Sequence, residues 1–279
     1  MTTEPPLDFM PNYGAAEHVI AGVRRLTARN TGPLTFRGTN SYLLGFREIT
    51  VIDPGPDDEG HVADIVALAG APIRLIVVTH DHADHSGAAH RLADMTGAEI
   101  VGAAPNAAHP NYHPHRILAD GEAVMTETGE LRAVATPGHT AGHLCYDLVG
   151  SELLFSGDHV MAWSTSVVVP PDGRMADYMS SLDRLVSVGA RCYLPAHGGP
   201  VTDGLARVDE LSRHREAREA AILRALDGGA RTIEKIVSAV YIGLDPALSG
   251  AAALSVTAHT DWLEERGLVR KTEGLLSRC

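Results

Sequence analysis

The chain reads as a layered α/β domain, with helices outside its sheets, followed by a small helical tail. Three observations lead there. Apolar β-branched runs such as "PIRLIVVT" have the length and composition of strands buried on both faces. Helix-length segments such as "DEGHVADIVALAG" and "GAAHRLADMTG" stand between them, and strands interleaved with helices build layered α/β domains. A length of 279 residues, 44% apolar and 21% charged, leaves room for one large domain, its core and an appendage.

In chain order, "TNSYLLG" and "EITVIDPG" predict two strands joined by a turn, and "DEGHVADIVALAG" a helix. Residues 73–79 form a strand that opens into a loop at "THDHADHSG". A second helix, "GAAHRLADMTG", and a short strand, "AEIVGA", come next. Residues 104–120 are rich in Pro, Asn and His without a period and read as a long irregular loop. Strands resume at "ELRAVATP", "LCYDLVG" and "ELLFSGD". They lead to a helix at "MADYMSSLDRLVSVG" and a last strand at "RCYLPAHGG".

The tail begins with a polar helix over 204–226, whose apolar side carries Leu205, Val208, Leu211, Ile222 and Leu226. Ile233, Ile236, Val237 and Val240 have the spacing of one helical face, and a third helix over 249–266 is closed by Gly267. "LVRKTEGLLSR" then predicts a hairpin around a Glu-Gly turn. Helices ending in a hairpin predict a winged-helix module. The expected division is 1–203 for the layered domain and 204–279 for a linker helix plus the winged-helix-like unit.

Charge narrows the partners. The net charge is −12; residues 1–202 hold 12 Arg and no Lys against 23 acids, whereas 203–279 hold 11 basic and 12 acidic residues. A nonspecific nucleic-acid binder shows a basic surplus instead. No run approaches the roughly 18 apolar residues of a membrane span, and no membrane partner is expected. "MTTEPPLDFMPNYG" lacks the basic start and apolar stretch of a secretory leader. Cys145, Cys192 and Cys279 are too few, and odd in number, for a disulfide framework. A cytoplasmic location is the expectation.

One stretch does not serve folding. Residues 80–85 pack three His and two Asp together, types that form helices poorly and are costly to bury unpaired. Further donors stand where later strands end: His139 in "ATPGHTAGH", Asp158 in "LLFSGDHV" and His197 in "YLPAHGGPV". Strand ends along one sheet edge converge, and ligands bind there in open α/β sheets. His80, His82, Asp84, His85, His139, Asp158 and His197 supply five imidazoles and two carboxylates, a donor set suited to zinc. Seven ligands exceed one catalytic tetrahedral site. They match two ions roughly 3.5–4 Å apart that share a carboxylate.

His80-x-His82-x-Asp84-His85, followed in order by His139, Asp158 and His197, resembles the metallo-β-lactamase superfamily, over about residues 30–200. The resemblance implies an αββα sandwich. Within the superfamily, "GPLTFRGTNSYLLG", "TPGHTAGH", "SGDHV", "DYMSSLDRL", "PAHGGPV" and the tail resemble the β-lactamase-like protein 2 group. That group carries a winged-helix tail and includes a single-strand-specific endoribonuclease; fungal polyketide-releasing thioesterases are also similar. The resemblance puts His80, His82 and His139 on one ion and Asp84, His85 and His197 on the other, with Asp158 bridging. It also implies a metal-bridging hydroxide as nucleophile, oriented by the catalytic residue Asp84. Two Zn2+ per chain are expected, with iron or manganese as the alternatives.

A bridging aspartate is typical of glyoxalase II, RNase Z and lactonase relatives rather than of true lactamases, so lactam hydrolysis is expected only as a side activity. Glyoxalase II itself is disfavoured, because the tail lacks that family's basic glutathione-binding segment. The expected function is a dinuclear zinc hydrolase of a small ester, thioester or lactone. The alternative is a single-strand-specific endoribonuclease binding single-stranded RNA, for which Arg266, Arg270 and Lys271 are the available cations. A binding module on a degenerate hydrolase is a third reading, opposed by the intact donor set.

Several other residues are read more plainly. His143 is a partner that supports the donors, a core histidine or a direct participant; His159 packs or, as the lesser alternative, faces the substrate; Asp53 braces the metal loop without being a ligand. Gly38, Thr39 and Asn40 form a turn or face the site. His109, His113 and His115 belong to a solvated loop that lines the mouth at most. His18, His61, His90, His214 and His259 read as surface residues.

Overall fold

Alternation along the strands gives each sheet two apolar faces. The structure, a computed structural model, describes residues 7–107 and 109–279 apart from the Ala247 side chain. Residues 1–6 of the stretch read for a leader, and Ala108 of the 104–120 loop, lie outside the described residues.

In the first sheet β1 (Glu17–Ile20), β2 (Val23–Thr27), β3 (Asn40–Leu44) and β4 (Ile49–Ile52) are antiparallel neighbours. β5 (Ile73–Val78), β6 (Glu99–Gly102) and β7 (Arg116–Ile117) extend it in parallel. The second sheet runs antiparallel through β8 (Ala123–Thr126), β9 (Gly129–Ala135), β10 (Leu144–Leu148) and β11 (Leu153–Gly157). It ends with β12 (Cys192–Pro195) parallel to β11.

Tyr42, Leu44, Ile52 and Val77 of the first sheet meet Tyr146, Phe155 and Leu194 of the second in one core. Their chain neighbours point the other way, as a two-residue period requires. Leu43, Val51, Ile76 and Val78 pack on α1 (Glu59–Ala69) and α3 (Ala89–Thr96) through Val62, Ile65 and Leu92. Cys145, Leu154 and Tyr193 pack on α4 (Met175–Val188) through Tyr178, Leu182 and Leu185. The layers are therefore αββα.

α5 (Gly204–Asp227) continues from the second sheet, followed by α6 (Ile233–Val240), α7 (Ser249–Glu265) and the hairpin β13 (Val269–Thr272) and β14 (Leu275–Arg278). Val208 and Leu211 of α5, with Ala258 of α7, join the cluster over the second sheet. Ile222 and Leu226, about three to four turns further along α5, join Ile236, Val256, Leu263, Val269 and Leu276 in a separate small core. One helix thus shares in both cores. Among the described residues no helix is long and apolar enough to cross a membrane, and Cys145, Cys192 and Cys279 are unpaired.

Four local expectations need correction. The strands β1, β2 and β8 fall outside the elements expected from sequence, and the 104–120 loop contributes β7 to the sheet edge. The residues after β5 include one helical turn, α2 (Ala83–Ser86), rather than loop alone; the Ser86 hydroxyl secures it by donating to the Asp81 and His82 carbonyls. His61 and His259 are buried, not on the surface. His61 shares a 2.9 Å hydrogen bond with Ser41, which satisfies an imidazole on the inner face of α1.

Candidate metal centre

Four strand ends deliver the donors to one edge of the sandwich, and a fifth delivers their brace. β5 leads into His80, His82, Asp84 and His85, β9 into His139, β11 into Asp158 and β12 into His197, while β4 ends at Asp53. Parallel β4 and β5, and parallel β11 and β12, end on the same side by construction.

Four of the imidazoles are oriented by a bond at the nitrogen that faces away from the centre. His139 Nδ1 donates to the Val167 carbonyl at 2.5 Å, and His197 Nδ1 to the Gly38 carbonyl at 3.2 Å. His85 Nδ1 meets Asp53 Oδ2 at 3.0 Å, and His80 Nδ1 meets the Thr79 hydroxyl at 3.0 Å. In all four the Nε2 lone pair is left to face the centre, the usual way a supporting group sets tautomer and ring angle. His82 presents Nδ1 instead. It lies 3.0 Å from His80 Nε2 and 3.2 Å from His139 Nε2.

These atoms gather into two main groups. The donors of His80, His82 and His139 lie within 4.8 Å of one another, and so do those of Asp84, His85 and His197; His80, His85 and Asp158 form a third, overlapping set. Asp158 Oδ2 stands 3.6 Å from His139 Nε2 of one group and 3.6 Å from His85 Nε2 of the other. Its Oδ1 is 3.4 Å from His197 Nε2. The sequence-predicted seven are all brought together.

The donor set fits divalent ions. His85 Nε2, His197 Nε2 and Asp158 Oδ1 are buried without a hydrogen-bond partner, a costly state that a ligated ion relieves. Donors bound tetrahedrally at 2.0–2.1 Å are about 3.3 Å apart. The His82 contacts and the 3.3 Å between His197 Nε2 and Asp84 Oδ2 lie close to that. The fold and these clusters imply divalent metal ions.

The two groups differ in their electrostatic surroundings, one being all imidazole and the other containing a carboxylate. Burial holds His80 well below the ordinary imidazole range, and burial next to His139 lowers His82 to about 3. Burial also opposes charge at His85, yet the carboxylates of Asp84 and Asp158 hold it well above that range. His197 is likewise raised to about 9 against burial, chiefly by Asp158. Against the cost of burial, Asp158 is held well below the carboxylate range by His197 and His85, and Asp84 by His85.

The neighbouring residues take several roles. Asp53 Oδ1 accepts from the Thr79 amide at 2.8 Å and Oδ2 from the Thr79 hydroxyl at 2.7 Å, so it does brace the loop. His143 Nε2 accepts from the Asp158 amide at 3.1 Å, and its Nδ1 is 2.8 Å from the Thr136 hydroxyl, which makes it a support for the Asp158 backbone. Asn40 donates to the Pro195 and Gly198 carbonyls and shapes the His197 turn, so this side chain does not face the site. His159 is buried against Tyr178, with ring centroids 4.7 Å apart. His109 lies closer to the centre than its loop suggests, its ring centroid 5.1 Å from that of His82. No local pattern in "HPNYHPH" separates it from the exposed His113 and His115.

Above the donors lies a cavity of about 380 Å³, floored by His82, Asp84, His139 and Asp158 and walled by Leu34, Met161, Val167, Val169, Pro170 and Pro171. Asp84 and His109 also line a second, more polar cavity of about 750 Å³, with Asn30, Thr35, Asp57 and Arg91 among its walls. The cleft therefore has an apolar lobe and a polar lobe that meet beside Asp84.

Residues 34–197 match the family model of the metallo-beta-lactamase superfamily, and residues 232–277 match that of the beta-lactamase associated winged helix domain. The chain is 32% identical over 225 residues to a "Beta-lactamase-like protein 2 homolog" of Caenorhabditis elegans, covering 75% of this chain and 72% of that protein. It is 31% identical over 251 residues to an "Atrochrysone carboxyl ACP thioesterase" of Aspergillus fumigatus, covering 83% and 77%. Among solved structures, a metallo-beta-lactamase family protein of Thermus thermophilus superposes with a TM-score of 0.79 at 25% identity, covering 93% of this chain and 99% of that one. The chain thus belongs to the metallo-beta-lactamase superfamily, as a metal-dependent hydrolase with a C-terminal winged-helix domain.

Proposed function

We propose that the chain is a dinuclear zinc hydrolase of a small ester or thioester, with a lactone as the cyclic variant of the same bond. The observation that carries this reading is the apolar lobe directly above the donor groups. Leu34, Met161, Val167 and the two prolines suit an apolar acyl group, and the polar lobe beyond Asp84 suits the departing alcohol or thiol. The name of the Aspergillus fumigatus relative, a thioesterase, supports the same bond class.

In this reading His80, His82 and His139 hold one ion, Asp84, His85 and His197 the other, and Asp158 holds both. When bound, such ions supply Lewis acidity, which lowers the pKa of water and polarises a carbonyl. The protein supplies position. Asp84, whose side chain is 30% exposed where the lobes meet, orients the attacking water toward the acyl carbon. The apolar wall excludes bulk water from that side, which strengthens each polar contact inside.

Cleavage of single-stranded RNA is less well supported. Arg266 is paired to Glu219 at 2.7 Å and lies over the Trp262 ring, and Lys271 is paired to Asp261. Of the three cations available to phosphates, only Arg270 lacks an acidic partner among the described residues.

A parallel panel of thioesters, lactones, a chromogenic lactam and single-stranded RNA, run on metal-loaded protein, tests the proposal. The highest kcat/KM is expected for a thioester with an apolar acyl group, with the lactam a minor activity. RNA cleavage in the absence of any ester or thioester turnover would overturn it.

A further inference from the structure

Arg215 is a buried cation with no acidic partner among the described residues. It sits on α5, 4% exposed, and among the described residues no carboxylate pairs with it. Its Nε has no hydrogen-bond partner. Its guanidinium carbon lies 5.1 Å from the Tyr178 ring centroid, and its Nη2 donates to the Ser166 carbonyl at 2.5 Å. A cation withdrawn from water without a counter-charge is unfavourable, so its place calls for a task beyond packing.

The contacts of Ser166 indicate that task. Its hydroxyl donates to the Asp158 carbonyl at 2.5 Å. On the other side, the Asp158 amide donates to His143 Nε2 at 3.1 Å. Both peptide groups of Asp158 are thus held, one by the His143 side chain and the other by a chain that runs Asp158, Ser166, Arg215. Tyr178 adds a donor to the adjacent His159 carbonyl at 3.2 Å. Asp158 is the residue whose two oxygens must face both donor groups at once, so the height of its backbone decides whether the carboxylate reaches them.

We propose that Arg215 is a positioning residue for the metal centre, acting through Ser166 on the backbone of Asp158. This rests on the reading of Asp158 as the shared ligand. It makes α5, and the C-terminal region that it begins, part of the hydrolytic apparatus, and it accounts for a buried arginine in a helix that otherwise meets the sheet through Val208 and Leu211.

Two mild substitutions test it. Ser166→Ala removes only the hydroxyl, and Arg215→Lys keeps the charge but loses the planar fork. Each should weaken the more loosely held ion about 10–100-fold in competition with a chelator, as loss of a supporting group does. Each should also lower kcat with KM nearly unchanged. The double variant should be no worse than the weaker single one, because both break one chain. Wild-type metal affinity in both variants, or fully additive losses, would overturn the proposal. Asp158→Ala serves as the control. If it keeps its full metal content, the reading beneath fails, and this proposal with it. If it loses metal while Ser166→Ala and Arg215→Lys bind as the wild type does, this proposal alone fails.

Discussion

The core between the sheets and the metal edge are built from the same strands to opposite rules. In the core, Tyr42, Leu44, Val77, Tyr146 and Phe155 bury apolar surface, and the Tyr42 and Tyr146 hydroxyls find carbonyls at Pro195 and Val78. A few residues further along these or neighbouring strands, His85, His197 and Asp158 are just as buried, yet each keeps an unpartnered polar atom. Asp53 adds a positive φ of 48°, outside the regions an L-residue prefers. The core stabilises the fold outright. The edge costs stability until it is ligated, so activity and stability should respond to different substitutions.

The largest effect is expected at the edge. Asp158→Ala should lower turnover on the order of 1,000-fold or more, the scale of losing metal-centred transition-state stabilisation. It should also abolish most of the rise in melting temperature that added divalent metal gives the wild type, since a ligand of the native state stabilises by mass action. A variant that keeps both the turnover and the metal-dependent rise would break the comparison.

The apolar layers away from the edge should answer in the reverse sense. Leu182, fully buried in α4 against the second sheet, should cost about 2–5 kcal/mol on truncation to Ala. Its kcat per folded molecule should stay near that of the wild type. Denaturant titration beside an activity assay of the same sample separates the two, and a fall in kcat larger than the loss of folded protein would count against independent regions.

Asp53→Asn should fall between, because it weakens the brace on Thr79 and His85 without removing a donor. A loss of about 10–100-fold in metal affinity or kcat is expected. Unchanged metal affinity would leave Asp53 a purely structural residue.

Acid should probe a buried site away from the edge. His259 is lowered to about 3 by burial, with the positive charge of Arg215 acting in the same direction. The unfolded chain therefore binds its proton more tightly than the folded one. The contribution is intact above about pH 6.5 and is lost as pH falls toward 3, by about 1.4 kcal/mol per pH unit. His259→Gln should flatten that part of the stability profile, which unfolding midpoints at pH 7, 5.5 and 4 would register. The smallest effect is expected from Arg270→Gln with Lys271→Gln, whose surface charges should alter thioester hydrolysis by no more than about twofold. A large loss there would favour a polyanionic substrate.

The contrast between edge and core also explains what the sequence could convey. "IRLIVV" is legible because both faces of β5 are buried, and the donors are legible because chemistry requires their types at strand ends. β2 is hidden because Arg24 and Arg25 interrupt its apolar pattern, and β1 because Glu17 and His18 make up half of its four residues. Arg24 donates to the Leu68 and Ala69 carbonyls at the end of α1, and Arg25 pairs with Glu17 and lies over Phe9. Short β8 alternates with half its residues exposed, so little apolar signal remains. Three of the four α2 residues, Asp84, His85 and Ser86, are weak helix formers, and the turn depends on the Ser86 bonds. His259 reads as a surface residue because a single imidazole on a helix carries no local sign of burial. Asp53 is legible as a brace, but two other groups that orient the imidazoles are out of reach for another reason. Val167 is 28 residues from His139 and Gly38 is 159 from His197, and both act through backbone carbonyls, which every residue possesses.

The central claim is that seven side chains at this edge hold two ions. Elemental analysis of wild-type protein purified without chelator tests it most directly. The account predicts about two zinc ions per chain, in the stoichiometry of a shared-carboxylate pair. No more than trace metal, in protein that still folds and still turns over its substrate, would contradict it.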